Sequence, residues 1–550
     1  MAAGEDRNAS EPGPHTLTSW RLAVVIGSLC LGIFLFGLDT NIIGTAIPRI
    51  TTEFHSLGDV SWYGSAYLLA VTVIQPLFGN FYKFFNVKKV YLISLLIFEV
   101  GSAICAATPS SGILILGRAV LGLGAAGLLQ GALAIISNVV SLDQVPMYQG
   151  IVVSALGISV CIGPVLGGVL TQYATWRWCF LINIPLGVAV MGIVLLFVPL
   201  KQQGEQNTKN MHMTTIEKLR HMDTIGMILF SGAICCLLLV VTLGGNTYPW
   251  KSARCIGLFV TFGVLWIGFC FWLWWRGDVA LIPLKVLRQR SIWTGALVLF
   301  GLGMASQIYA YYFPIFFQAS QGVTTTQSGV RFIALVLPEI VAIGIIGWLV
   351  TTWGYYYSYL LAGLITASVG AGLLTMINIS TGTVVWAAFM VITGIGIGMV
   401  QQIPYTAVQA VLDTTDVATG NAIAVFSSQL GGAIALAIAE NLLISKLETS
   451  IPRYTSVVTA ETVISVGASG LATLTDSPTV LHSLREAYSD SVRYTFILAV
   501  VGVAISILPA CWMERVNIKR ISEGRKSASD QKTQEGAGFA IVNNSEWLNV

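Results

Sequence analysis

The sequence predicts an all-α, polytopic membrane protein, and two observations support this prediction. Of the 550 residues, 55% are hydrophobic and only 10% are charged, whereas about a quarter of the residues in soluble domains are charged. Apolar runs that are nearly free of charge also recur along the chain, each close to the ~20 residues that a membrane helix requires. A soluble protein of this composition would have too little polar surface, so soluble protein classes are excluded.

Fourteen helices are predicted to cross the membrane, and we number them span 1 to span 14. They cover residues 22–47, 62–82, 89–108, 113–140, 149–172, 179–200, 223–243, 255–275, 293–317, 330–350, 355–377, 384–410, 417–444 and 492–513. An even number places both ends of the chain on one side, and that side holds 19 Lys and Arg residues against 8 on the other. The positive-inside rule therefore predicts that both termini are cytosolic.

Weak internal repeats divide the chain into two halves. The segment FGNFYKFFNVKKVYL after span 2 is similar to IGWLVTTWGYYYSYL after span 10, and LGLGAAGLLQG in span 4 is similar to ITGIGIGMVQQ in span 12. Repeated halves with a site at their interface are typical of transporters. The predicted divisions are a cytosolic tail 1–21, a six-helix half 22–200, a cytosolic linker 201–222, two inserted helices 223–275, a cytosolic loop 276–292, a second six-helix half 293–513 with an outer loop 445–491, and a disordered cytosolic tail 514–550.

Span 5 contains an unusual cluster of glycines around a proline, GISVCIGPVLGG. Gly157, Pro164 and Gly168 fall on one helical face together with Cys161, while Gly163 and Gly167 flank that face. A face of almost bare backbone allows a neighbouring helix to approach closely. Pro164 removes one helix hydrogen bond, a defect that membrane helices tolerate where their neighbours satisfy the freed group.

These residues resemble the antiporter motif in the fifth helix of the major facilitator superfamily, Gly157 with Gly163-Pro164-x-x-Gly167-Gly168. The following WRWCFLINIPLG is similar to the start of the sixth helix in the fourteen-helix drug:proton antiporter family. GLDTNIIGTAIPRI, with Asp39, resembles the first-helix motif of that family, and LGRAVLGLGAAG resembles the fourth-helix motif of the superfamily, with Arg118, Gly122 and Gly124. The chain looks most like the fungal branch, many of whose members export toxins and secondary metabolites.

One motif departs from the superfamily pattern. The loop after the second helix usually reads G-x-x-x-D-x-x-G, but this chain has Gly79 followed by Lys83 and Asn86. The charge contact that the Asp usually makes at the inner face cannot form in that way here. Because fungal relatives commonly share this variant, we do not expect a loss of function.

Charged side chains inside the membrane are the main candidates for function, because each costs roughly 2.5 kcal/mol or more there. The motifs and their positions favour Asp39, near the outer end of span 1, and Arg118, in span 4, as the proton-coupling groups, with a structural ion pair as the alternative for each. Glu339 and Glu440 are candidate contacts for protons or a cationic substrate, and the alternative for both is burial as neutral groups. Glu99 is expected to be structural, because third helices of this superfamily lie at the periphery. Gln409 and Gln429 are further candidate substrate contacts, with helix–helix hydrogen bonding as the alternative.

The predicted function is proton-coupled export of small amphipathic organic compounds, such as a fungal toxin, another secondary metabolite or a drug. An importer, for example of siderophores, is the main alternative, and a transporter-like sensor and a membrane enzyme are two others. An enzyme holding haem or a di-iron centre is disfavoured because every histidine lies outside the spans, at His15, His55, His212, His221 and His482. No Gly-rich phosphate loop for ATP is present.

The remaining expectations concern partners and location. We expect no catalytic residue, no cofactor, no metal site and no nucleic-acid partner. The expected partners are an amphipathic small molecule, protons and the lipid bilayer, and the protein is expected to be a monomer. The plasma membrane is the favoured location, with a vacuolar or vesicular membrane as the alternative.

Overall fold

The computed structural model describes residues 19–55, 59–198, 222–245, 248–413, 416–521, 523–524 and 527. Most of the predicted tails 1–21 and 514–550 and of the linker 201–222 lies outside these residues. Within the described ranges, the regular structure is entirely helical. The predicted all-α fold class is thus confirmed.

The observed helices follow the predicted spans closely. Spans 1 to 5 are Ser19–Phe54, Val60–Phe84, Val87–Ala107, Ser111–Val139 and Val145–Tyr173. Span 6 consists of a turn, Trp178–Leu181, and a helix, Asn183–Phe197, and the inserted spans 7 and 8 are Thr224–Leu243 and Ala253–Arg276. After a short helix, Leu284–Arg288, spans 9 to 12 are Arg290–Gln321, Thr325–Trp353, Tyr357–Leu374 and Thr383–Gln401 continued by Ile403–Val411. Span 13 is Val417–Tyr454 and span 14 is Pro478–Trp512.

Thirteen helices of the described chain are long and apolar enough to cross a membrane. Span 2 is not among these thirteen, although it has 25 residues. It carries Gln75, Asn80 and Lys83 and packs between spans 4 and 13 inside the bundle. A helix that lines the protein interior needs fewer lipid-facing apolar residues, so its lower hydropathy has a structural reason. The count of fourteen spans stays a prediction.

Two large apolar cores organise the bundle. In the first core, span 1 packs against span 5, and span 4 packs against both span 2 and span 3. In the second core, span 9 packs against spans 13 and 14, and span 11 packs against span 12. The two groups of helices meet where span 5 packs along span 10 and span 2 packs along span 13. Membrane helices associate through such close packing rather than through expulsion of water.

Segment 445–491, which we predicted to be an outer loop, is largely helical. Span 13 extends to Tyr454, span 14 begins at Pro478, and two short helical segments, Ala460–Val466 and Ala468–Thr473, lie between them. Leu447 and Leu484, on these extensions, are almost fully buried. The extensions are therefore stabilised by packing of their apolar faces. Their sequences are not uniformly apolar, so they were not predicted as parts of spans.

The beginning of the predicted disordered tail 514–550 also packs against the protein. The backbone N–H of Ile518 donates to the Gly354 carbonyl at 2.9 Å, and the Ile518 side chain is buried. The Ser291 hydroxyl donates to Glu514 Oε2 at 3.1 Å. These first residues therefore belong to the folded C-terminal half, and the segment after residue 527 lies outside the described residues.

Candidate functional site

Asp39 and Arg118 form an ion pair at the centre of the N-terminal half. Arg118 Nη1 donates to Asp39 Oδ2, and Arg118 Nε donates to the Tyr63 carbonyl at 2.8 Å. The guanidinium also lies 4.5 Å from the ring centroid of Tyr67. Asp39 is 0% exposed and Arg118 is 1% exposed. Because span 1 extends to Phe54, Asp39 lies in the middle of the helix rather than near its outer end.

The ion pair continues into a chain of uncharged polar groups. Asn183 Nδ2 donates to Asp39 Oδ1 at 3.4 Å and to Ser102 Oγ at 3.0 Å. Ser102 Oγ donates in turn to the Phe180 carbonyl at 2.8 Å. Both carboxylate oxygens of Asp39 thus accept a hydrogen bond, one from span 4 and one from span 6. These contacts offset part of the cost of desolvating the buried carboxylate.

The two motif glycines of span 4 place Arg118 by close helix packing. A Cβ atom on Gly122 would lie 2.6 Å from the Tyr67 carbonyl of span 2. On Gly124 it would lie 2.6 Å from the Ser94 carbonyl of span 3. Neither position therefore has room for a side chain, and span 4 is held between spans 2 and 3 with Arg118 turned towards Asp39.

Span 5 uses its glycines differently from the predicted face of Gly157, Pro164 and Gly168. The close contacts are those of Gly163 and Gly167 with span 1: a Cβ on Gly163 would lie 2.8 Å from Asn41 Cβ, and one on Gly167 would lie 2.6 Å from the Ile42 carbonyl. Gly157 instead faces span 10, with Val336 at 3.0 Å, and Gly168 faces nothing within 4 Å. Helical periodicity identifies a bare face, but only the position of the neighbouring helices decides which glycines are closely packed. The helix is continuous through Pro164.

The Trp-Arg-Trp sequence after span 5 joins three segments at the predicted outer end of the N-terminal half. Trp176 Nε1 donates to Glu53 Oε2 at 2.7 Å, and Arg177 Nη1 donates to Glu53 Oε1 at 2.8 Å. Arg177 Nη2 also donates to the Thr108 carbonyl at 2.9 Å. Trp176 and Arg177 thus donate to both oxygens of the Glu53 carboxylate. This contact ties the end of span 1 to the turns after spans 3 and 5.

Lys83, which replaces the usual motif Asp, takes part in an ion triad at the predicted cytosolic end. Lys83 Nζ lies 2.9 Å from Asp416 Oδ1, and Lys285 Nζ lies 2.5 Å from Asp416 Oδ2. Asp416 immediately precedes span 13, where a carboxylate also interacts favourably with the helix dipole. The triad joins span 2, the loop 276–292 and span 13. An inner-face contact thus exists with its cation on Lys83 and its carboxylate on Asp416.

The contacts of the triad favour the charged forms of Asp416 and Lys285. Burial raises the pKa of Asp416, but hydrogen bonds from Lys285 and Lys83 outweigh this effect and hold the pKa below its usual value. The hydrogen bond to Asp416 raises the pKa of Lys285 above its usual value. Both shifts favour the charged pair.

Other contacts between the two halves lie close to this triad. A Cβ on Gly79 would lie 2.8 Å from Ala422 Cβ of span 13, so the motif glycine permits a close approach. Gln130 Nε2 donates to the Ala418 carbonyl at 3.1 Å, and Gln409 Nε2 donates to Ser137 Oγ at 2.7 Å. Gln409, which we predicted to contact substrate or protons, lies in this inter-half contact. The structure is therefore closed at the predicted cytosolic end.

The other membrane carboxylates lie outside the central ion pair. Glu339 is half-buried on span 10, which packs along span 5. Glu440 is half-buried on span 13 near Tyr312. Gln429 is half-buried on span 13. Tyr311 of span 9 is also half-buried and is close enough to Arg118 to interact with it electrostatically. None of these side chains is placed next to Asp39 by a hydrogen bond in the described part of the chain.

Sequence reasoning did not identify Asn183, Ser102, Asp416 and Tyr311. Asn183 is a polar residue in the otherwise apolar helix of the WRWCFLINIPLG motif. A polar residue in such a helix could have indicated a hydrogen-bond partner inside the bundle. Asp416 directly precedes an apolar span next to a side rich in Lys and Arg, and this could have indicated an ion pair. Ser102 and Tyr311 have no such signal, because isolated Ser and Tyr residues are common in membrane helices.

Comparisons with known proteins agree with the fold. Residues 29–436 match the family described as the Major Facilitator Superfamily. The chain is 40% identical to the "MFS-type efflux pump MFS1" of Trichophyton rubrum over 92% of its length and 93% of that protein. It is 41% identical to the "Efflux pump bfoC" of Aspergillus brasiliensis, with 92% and 89% covered.

Solved structures show the same fold at low sequence identity. The human organic anion transporter MFSD10 (TETRAN) superposes with a TM-score of 0.54 at 12% identity, covering 88% of this chain and 99% of that one. A bacterial homologue of the human lysosomal transporter Spinster, in an inward-facing conformation, gives a TM-score of 0.54 at 14% identity, with 90% and 98% covered. Because residues 29–436 match the family and thirteen described helices are long and apolar enough to cross a membrane, the chain is a multi-pass membrane protein that belongs to the Major Facilitator Superfamily.

Proposed function

We propose that the protein is a proton-coupled efflux pump for small amphipathic organic compounds, and that its natural substrate is a fungal toxin or another secondary metabolite. The observation that carries the proton coupling is the fully buried Asp39–Arg118 pair. The direction of transport is supported by relatives that are named efflux pumps and cover about nine-tenths of the chain.

Protonation of Asp39 would act through its partner. A proton on the carboxylate removes the counter-charge of Arg118, and a buried charge left without its partner costs about 3–5 kcal/mol. This cost can be relieved by a conformation in which Arg118 finds water or another partner. Tyr311, from the C-terminal half, is the nearby group that would sense the change, because its phenol interacts with Arg118. The protonation state thereby favours one access state over the other.

The two access states would differ at the contacts between halves. In the conformation described here, the predicted cytosolic end is closed by the Lys83–Asp416 contact and by the Gln409–Ser137 hydrogen bond. Spans 5 and 10 provide a surface with glycines on both sides, at Gly157 and Gly329. We infer that the halves rock about this surface, as in other transporters with repeated halves.

Substrate selection would depend on a mainly apolar surface with few polar groups. The half-buried Tyr311, Gln429, Glu339 and Glu440 provide scattered polar atoms among apolar side chains. Such sites bind amphipathic molecules of varied shape. The surface offers few charges for a polar siderophore complex, so export of amphipathic compounds is preferred over siderophore import.

We further propose the predicted organisation for the whole chain. The halves 22–200 and 293–513 would move relative to each other, with the inserted helices 223–275 beside them and both termini in the cytosol. The protein would work as a monomer in the plasma membrane. A reporter fused to the C-terminus tests the topology, since an extracellular signal contradicts it.

Transport in proteoliposomes tests the coupling. Purified protein is reconstituted, a pH difference is imposed, and movement of rhodamine 6G is followed for wild type, Asp39→Asn and Arg118→Ala. Both variants should lose pH-driven transport while inserting normally, whereas the exposed Glu448→Gln should transport like wild type. Full pH-driven transport by both variants would place the coupling group elsewhere, with Glu339 as the next candidate.

A further inference from the structure

Glu99 is a second buried carboxyl group in the N-terminal half. It lies in the middle of span 3 and is 6% exposed, and neither of its carboxyl oxygens has a hydrogen-bond partner among the residues that the structure describes. We expected this residue to be structural because third helices lie at the periphery. A structural carboxylate, however, is held by hydrogen bonds or by a cation, since burying an unpaired charge is very costly. The two orphaned oxygens are therefore compatible with a neutral carboxylic acid in this conformation.

Span 6 provides the space for this carboxyl group. The Glu99 side chain lies over the bare backbone of Gly187, where a Cβ would be only 2.5 Å from Glu99 Cδ and closer still to Oε1. An alanine at this position would displace the carboxyl group. The glycine of the INIPLG segment thus makes room for a polar group in an otherwise apolar helix contact.

The same two helices connect this group to the Asp39 site. Ser102 follows Glu99 by one helical turn on span 3, and Asn183 precedes Gly187 by one turn on span 6. Asn183 Nδ2 bonds both Ser102 Oγ and Asp39 Oδ1, while its own Oδ1 is buried without a partner. Glu99 therefore lies one turn from the hydrogen-bonded chain that ends on Asp39, and the two carboxyl groups interact electrostatically.

The charged surroundings of Glu99 are few in the described residues. Span 1 contributes Asp39, which is neutralised by Arg118 of span 4. Span 6 contributes the uncharged Asn183 and Gly187. On span 3, Lys88 lies about three turns nearer the predicted cytosolic end, where its Nζ donates to the carbonyls of Leu195 and Val198. No cation thus pairs with Glu99, and Asp39 is the charge that its ionisation would oppose.

We propose that Glu99 is a second proton-binding group of the transport cycle, coupled to Asp39 through their shared site. It is neutral in the present conformation, and it can ionise only in a conformation that gives its carboxylate water or a partner. A group whose protonation is tied to one access state in this way carries a proton across the membrane. This inference rests on the proposed proton coupling and adds one proton to each cycle.

The coupling ratio tests this inference. Each proton exchanged supports about a tenfold substrate ratio for each unit of pH difference. Steady-state accumulation of rhodamine 6G is measured in proteoliposomes at several pH differences, with the membrane potential clamped at zero. The slope of log accumulation against pH difference should fall by one in Glu99→Gln, so that one pH unit supports an about tenfold smaller ratio. Glu448→Gln, an exposed carboxyl on span 13, should keep the wild-type slope.

The possible results separate the two claims. A wild-type slope of zero would refute proton coupling itself. Equal non-zero slopes for wild type and Glu99→Gln would refute the role of Glu99 alone. A merely structural role would slow transport without changing the slope, provided that the ratio is the one at which the carrier-mediated net flux is zero after subtraction of the passive dye leak measured in protein-free liposomes. That ratio depends on the number of protons exchanged and not on the transport rate.

Infrared spectroscopy provides a second measurement that needs no transport. The C=O band of a protonated carboxyl should be present at neutral pH in wild type and should be weaker in Glu99→Gln. If Glu99→Gln does not fold, the test uses the Glu339→Gln and Glu440→Gln double variant labelled with ¹³C-glutamate. A ¹³C-shifted band of a protonated carboxyl at neutral pH supports the inference, and absence of that band overturns it.

Discussion

Asp416→Asn should open the predicted cytosolic end of the protein. The substitution preserves side-chain size and removes the negative charge shared by Lys83 and Lys285. The contact with Lys83 is largely buried, with side chains 19% and 5% exposed. We therefore assign it the ~1.5–3 kcal/mol of a hydrogen bond between charged groups. Lys285 is 51% exposed, and its contact should contribute less than about 1 kcal/mol.

The expected shift in the conformational equilibrium follows from these contributions. Mid-range values of about 2 kcal/mol for the Lys83 contact and about 0.5 kcal/mol for the Lys285 contact give a total of about 2.5 kcal/mol. This total corresponds to an about 60-fold increase in the population open at this end. Thr419 is a suitable reporter because it is buried opposite Gly79 in the contact between halves. A Thr419→Cys variant, in a background without the nine native cysteines, should react with a maleimide only when the halves separate.

The assay compares maleimide labelling rates of Thr419→Cys in matched backgrounds. Asp416→Asn should accelerate labelling about 60-fold, and Lys83→Ala should have a larger effect than Lys285→Ala. Asp413→Asn, an exposed carboxylate three residues before Asp416, is the control and should leave the rate nearly unchanged. An unchanged rate in Asp416→Asn, or a larger effect of Lys285→Ala than of Lys83→Ala, would refute this reasoning.

Three further predictions concern packing, the outer contact and pH. Gly163→Val should abolish transport because its side chain would collide with Asn41, whereas Gly168→Val should retain it because nothing lies within 4 Å; equal dye transport by both variants would contradict this. Glu53→Gln should lower the free energy of unfolding by less than about 1 kcal/mol, because its ion pair with Arg177 is half-exposed; a thermal-shift assay measures this, and a loss of several kcal/mol would be inconsistent with it. The Thr419→Cys labelling rate, divided by that of a free thiol at the same pH because only the thiolate reacts, should be constant from about pH 5 to 8 and should rise only as pH falls through the lowered pKa of Asp416. A lowered carboxyl pKa adds stability above its usual value of about 4, and a transition of the corrected rate near neutral pH would show that another group controls this end.

The amino-acid sequence alone determined that this is a helical membrane protein and where most of its spans lie. Apolar runs of sufficient length have few alternatives in a bilayer, since backbone polar groups must be satisfied within each helix. The motifs also singled out Asp39 and Arg118, because a charge inside the membrane is costly and is expected to have a use. Local patterns were sufficient for these conclusions.

Local patterns failed where stability comes from contacts between helices. The extensions around Leu447 and Leu484 are too polar to be recognised as spans, and they are helical because their apolar faces pack. The continuous bare face on span 5 did not reveal that Gly163, rather than Gly168, meets span 1.

The tertiary structure alone decided the partners of individual side chains. Lys83 and Asp416 are separated by 333 residues, and Asp39 and Asn183 by 144. Helical periodicity defines the face on which a residue lies, but the neighbour on that face depends on how each helix is rotated and placed in the bundle. For this reason the sequence could not show that Glu99 lies one helical turn from the hydrogen-bonded chain that ends on Asp39, or that Lys83 contacts Asp416.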